Sequence, residues 1–108
     1  MYLGATQHSW SSINLQNNNG YYNAINSCGT FAYAIKNTIY DPLLKKLKKL
    51  RHPVDHYLIF MQKENRDRSI VFYPNIIIAD LTDSDIRGPR NQLHLSKRLK
   101  WDKIKYNF

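Results

Sequence analysis

Residues 29–55 read GTFAYAIKNTIYDPLLKKLKKLRHPVD, and the period of the apolar side chains changes within them. Phe31, Tyr33 and Ile35 alternate with small residues, a period of two that predicts a strand over 29–35. From Thr38 the period lengthens. Ile39, Tyr40, Leu43, Leu44, Leu47 and Leu50 recur at helical spacing, with Lys45, Lys46, Lys48, Lys49 and Arg51 filling the rest of the surface. Thr38-x-x-Asp41 has capping-box form, and Pro42 falls in the first turn, where a missing N–H costs little. The late cations suit the negative end of a helix, and Pro53 stops it. The leucine stripe has the width of an ordinary core face, so the lysines read first as a solvated surface.

On the N-terminal side, 2–5 is a short apolar strand end. Residues 6–19 are polar, with Trp10 alone among them, and end in the loop signal Asn17-Asn18-Asn19-Gly20, followed by Tyr21-Tyr22. On the C-terminal side, Val54-Asp55 begins a second helix that runs to Lys63, and 63–68 is a charged turn. Residues 70–73 and 76–79 read as strand interrupted by Pro74. A polar loop over 80–90 contains Gly88-Pro89. Residues 91–101 are helical, with Leu95 and Leu99 one turn apart. Strands and helices in this order make a mixed α+β chain, and 108 residues bound it to one domain.

The composition excludes collagen-like, low-complexity and disulfide-rich classes: 43% hydrophobic, four Gly, four Pro and one Cys describe a globular chain. No apolar run approaches the ~18 residues of a membrane span, and no signal peptide is visible, so the expected location is cytoplasmic. Cys28 has no second cysteine to pair with. The net charge of +8 points to anionic partners, but it is unevenly spread. Residues 1–40 carry one charged side chain, Lys36, against sixteen Ser, Thr, Asn and Gln and seven aromatics. Such a stretch is either poorly ordered, or faces something neutral and rich in hydroxyls, or packs on other protein.

Four groups of residues could carry chemistry. Trp10, Tyr21, Tyr22 and Tyr33 among many amides suit a sugar-binding lining, or else belong to an aromatic core. Asp55 stands where a helix begins, as its N-cap or as a general base aimed into a cleft. Asp83-Ser84-Asp85 follows an apolar run, and two carboxylates so spaced can hold a divalent ion on a nucleotide diphosphate or simply cap turns. His52 and His56 are four apart, but Pro53 lies between them and breaks the shared helix face that a metal would need.

Taken together, Gly29-Thr30-Phe31-Ala32-Tyr33-Ala34-Ile35, the leucine-rich helix, Pro53-Val54-Asp55, the strand ending at Pro74 and Ser84-Asp85-Ile86-Arg87 resemble the second half of family 25 glycosyltransferases, the lipooligosaccharide and collagen β-galactosyltransferase-like proteins. Leu3-Gly4 fits the segment after that family's acidic metal motifs. The resemblance covers most of 2–87. It implies the C-terminal part of a GT-A-like fold, with an incomplete sheet flanked by helices, and transfer of a sugar from a nucleotide-sugar donor to a hydroxyl acceptor with inversion. It implies Asp55 as the base, and a late-motif role for Asp85 in place of donor-metal binding. The family's nucleotide-binding half has no counterpart in these residues. The expectation is therefore a single partial domain over 1–108, with a basic helix and tail at 88–108, inactive without a donor-binding half. Mn²⁺ would be a cofactor only once that half is supplied, and a separate chain could supply it. The alternative is a non-catalytic basic module that binds polyanions, nucleic acid or an anionic surface, through the lysine-rich helix and the tail from Arg87 to Lys105.

Overall fold

The computed structural model of the chain describes residues 1–15, 19–81, 83 and 88–101. It is a mixed α+β fold. Four strands, β1 (Tyr2–Thr6), β2 (Tyr21–Asn23), β3 (Cys28–Tyr33) and β4 (Ile70–Phe72), form one sheet in the order β2-β4-β1-β3. β1 and β4 run parallel, and the other pairs are antiparallel. Three α-helices accompany the sheet: α1 (Tyr40–Leu47), α2 (Val54–Glu64) and α3 (Gln92–Leu99).

The principal core lies where α1 and α2 cover the sheet. Tyr2 and Ala5 of β1, Tyr22 of β2 and Val71 of β4 meet Leu43, Tyr57, Leu58 and Met61. A second, smaller cluster of Leu81, Leu99 and Trp101 includes half-buried Leu95 of α3. It meets the sheet at Phe31, whose ring stands edge-on to Trp101 at 6.1 Å. Gly4 makes a close crossing possible in the middle of β1. A Cβ there would overlap the carbonyl of Ile77 and approach Phe31 to 2.8 Å. The crossing is held by Ile76 N–H and Ile77 N–H, which both donate to Leu3 O.

That crossing corrects the expected second half-strand. Residues 76–79 do not join the sheet: Pro74 cannot donate to a ladder, Asn75 turns inward to donate to Ala5 O at 3.0 Å, and the chain passes over β1. β2 is a strand too short for an alternation of polar and apolar residues to reveal it.

The lysine-rich helix is also shorter than its leucine pattern. Residues 37–39 form a 3₁₀ turn, α1 starts at Tyr40, and no side chain caps it, so the Thr38–Asp41 capping box is not made. The helix closes at Leu47, six residues before Pro53, because Leu50 takes a left-handed conformation with φ +48°. Leu43 is buried and Leu47 packs on the core, whereas Leu44 and Leu50 face solvent. The stripe is thus only half a core face. The last helix spans Gln92–Leu99, capped by Asn91, whose side chain accepts from His94 N–H at 2.9 Å. Of the expected basic tail, 102–108 lies outside the described residues.

Candidate functional site

The face of α2 turned to the sheet carries Asp55, Leu58 and Gln62, three and four residues apart and therefore in one row. Gln62 is the polar member of an otherwise apolar stripe, and it is fully engaged. Its Nε2 donates to Tyr2 Oη and to Ser27 O, each at 2.7 Å, and its Oε1 accepts from Ser27 N–H at 3.1 Å. The buried Ser27 hydroxyl donates in turn to Gln7 Oε1 at 2.7 Å. This network pins α2 against β1 and the start of β3. Burying amides at so many points is tolerable only because each finds a partner.

Tyr2 stands at the centre. Burial raises its phenol to about 12, against the opposing effect of the Gln62 bond. The nearby Cys28, Tyr33 and Asp55 add smaller upward pushes. The Asp55 charge is therefore felt at the Tyr2 phenol. Asp55 itself is half-buried in the first turn of α2, and among the described residues no hydrogen bond or ion pair engages its carboxylate. It is not the N-cap: Pro53 occupies that position in extended conformation, and the cap makes no side-chain bond. The capping reading is corrected by Pro53, which takes the N-cap position itself.

A groove of about 800 Å³ opens beside this row. Tyr2, Leu58, Met61 and Gln62 form its buried floor, and Tyr33, Lys36 and Arg68 stand exposed at its rim. Asp55 continues the Leu58–Gln62 row one turn toward the start of α2. The groove thus offers an aromatic ring, two cations and apolar footing, and Asp55 is not among its lining residues.

The other aromatic candidates are not brought to it. Tyr22 is 4% exposed and belongs to the core, and burial pushes its phenol strongly upward. Trp10 packs edge-on to Tyr22 and Tyr73, each at 5.7 Å, donates from Nε1 to Arg98 O at 3.0 Å and lies under the Lys100 ammonium. Tyr21 is exposed on β2. β2 and β3 are opposite edges of the sheet, so Tyr21 and Tyr22 are separated from Tyr33 by three strand spacings, roughly 14 Å. The four aromatics do not form one lining: Tyr22 and Trp10 pack on the β2–β4 side, Tyr21 is exposed there, and Tyr33 alone joins the groove.

No family model, curated protein or solved structure matches this chain.

The acidic loop behaves as turn chemistry where it is described. Asp83 Oδ1 accepts from Arg90 N–H at 2.9 Å, and Asp85 lies outside the described residues. His52 and His56 approach to 6.3 Å between ring centres, but His52 also leans on Tyr57 and Phe60, and no three His, Cys, Asp or Glu converge among the described residues. Sequence reasoning missed Tyr2 and Gln62. A polar residue interrupting the apolar row of α2 was the available signal for Gln62, since a buried amide must find partners. Nothing in the sequence marks which strand faces it.

Proposed function

We propose that these residues supply the acceptor side of a GT-A-like glycosyltransferase, with Asp55 as the general base of an inverting transfer. The observation that carries the reading is the Asp55 carboxylate. It is half-buried at the start of α2, free of a cap or ion pair among the described residues, and in line with groove residues Leu58 and Gln62. A base must be able to receive a proton, and a carboxylate already committed to a cap or an arginine is poor at this.

In this reading an acceptor sugar or other hydroxylated acceptor lies in the groove, its apolar face against the Tyr33 ring. Asp55 takes the proton of the attacking hydroxyl as that oxygen closes on the anomeric carbon, from the face opposite the departing diphosphate. The Tyr2 phenol, held neutral by burial, stays a hydrogen-bonding group and does not compete as a base.

The described residues do not fit the divalent ion that family 25 enzymes imply: Asp83 is engaged by Arg90 N–H, and no acidic cluster stands near the groove. The nucleotide sugar belongs to a donor-binding half.

The test is complementation. The 108-residue chain is incubated with UDP-galactose, Mn²⁺ and a hydroxylated acceptor, with and without the donor-binding half of a family 25 enzyme, joined or added separately. Release of UDP above background is expected only with both halves. Release by the 108 residues alone, or none in any combination, contradicts the reading.

A further inference from the structure

The turn after α1 holds a leucine where the backbone favours glycine or asparagine. Leu50 has φ +48° and 89% of its surface exposed. Its position is fixed from both sides. Leu50 N–H donates to Leu47 O at 3.0 Å, and the next amide, Arg51 N–H, donates to the Oη of buried Tyr57 at 2.8 Å. A large apolar side chain is therefore held out into water, in a conformation that costs free energy and gains no contact for the core.

Its surroundings are cationic. Residues 42–54 contain five Lys and Arg and no Asp or Glu. Lys46 is paired with Glu64 at 2.7 Å, while Lys45, Lys48, Lys49 and Arg51 stand exposed. Leu44 and Tyr40, one turn apart on one flank of α1, are each about half exposed.

We propose that this tip docks the protein on an anionic lipid bilayer. Leu50 and Leu44 enter the boundary between headgroups and acyl chains, and Lys45, Lys48, Lys49 and Arg51 meet the negative headgroups. Charge complementarity and the apolar tip select the same occupant. Nucleic acid would satisfy the cations but offers nothing to a rigid leucine, whereas a lipid interface satisfies both. The contact is peripheral, and no helix among the described residues is long and apolar enough to cross a membrane. It is independent of the transfer chemistry above.

The test is co-sedimentation of the 108-residue chain with vesicles of phosphatidylcholine alone or with about 30 mol % phosphatidylserine. Binding is expected only with phosphatidylserine and should fall as salt rises. Lys48→Ala with Lys49→Ala should weaken it by about twenty-five-fold, from roughly fivefold per cation near the surface. Leu50→Asn should weaken it by about tenfold with the melting temperature unchanged or raised, because Asn tolerates the left-handed conformation. Any of these binding results overturns the proposal: no binding to phosphatidylserine vesicles, equal binding to both vesicle types, undiminished binding by Leu50→Asn, or tighter binding to duplex DNA or RNA than to vesicles. A lowered melting temperature in Leu50→Asn also overturns it, since Leu50 would then serve the fold.

Discussion

Gln62 on α2 donates to the phenol oxygen of Tyr2 on β1 at 2.7 Å, across 60 positions of sequence. The same amide closes two bonds with the Ser27 backbone, so one side chain joins the helix, the central strand and the turn into β3. The position of Asp55 in the fold is set by this clamp, two turns away along the same helix.

Gln62→Leu should therefore be costly despite its similar bulk. It strands the Ser27 N–H, the Ser27 carbonyl and the Tyr2 phenol in a buried setting, at about 1–3 kcal/mol for each group that relaxation cannot repair. A loss of about 3 kcal/mol in urea unfolding is expected. A loss below about 1 kcal/mol would mean that the network rearranges and does not hold α2 in place.

Two of the buried tyrosines, Tyr2 and Tyr22, give a pH signature. Tyr2 is raised to about 12 and Tyr22 further still, both chiefly by burial. An unfolded tyrosine ionises near 10. The neutral phenol is favoured in the folded state, so this stabilisation is complete below about pH 10 and is lost as pH climbs through 10 to 12 and beyond. Tyr2 and Tyr22 should resist ionisation in an ultraviolet titration until the chain unfolds. All eight titrating together near 10 in a folded chain would contradict the burial of Tyr2 and Tyr22.

Gly4→Ala probes the crossing of residues 76 and 77 over β1. The new methyl meets the Ile77 carbonyl, which is backbone and cannot swing aside. Restoring contact distance would break the pair of bonds to Leu3 O. A loss of at least about 2 kcal/mol is expected, in the range of overpacked cores. Unchanged stability would show that the crossing is not close-packed.

The sequence predicts the elements better than their partners. The strand–helix–helix run from Phe31 to Lys63 is legible because Phe31, Tyr33, Leu43, Leu47, Leu58 and Met61 obey local periods. The end of α1 departs from the pattern for a local reason as well. The leucine spacing continues through Leu50, but the backbone turns left-handed there, and no glycine advertises it. Residues 76–79 look like a strand in isolation; Asn75 bonding to Ala5 and the passage over Gly4 are long-range facts. Asp55 is legible as a residue at a helix start, but its release from capping depends on Pro53 taking that place. Trp10, Tyr21, Tyr22 and Tyr33 look alike in sequence, and only the strand order separates them.

The most direct measurement compares the native chain with its Asp55→Asn variant, each completed with a donor-binding half, following UDP release and UDP affinity together. A first-turn carboxylate contributes about 0.3–1 kcal/mol to its helix, so the variant should remain folded. Removing a general base costs ~10²–10⁴-fold in rate. The account predicts unchanged UDP affinity with transfer reduced by at least about a hundredfold. Near-normal transfer by the folded variant would contradict it.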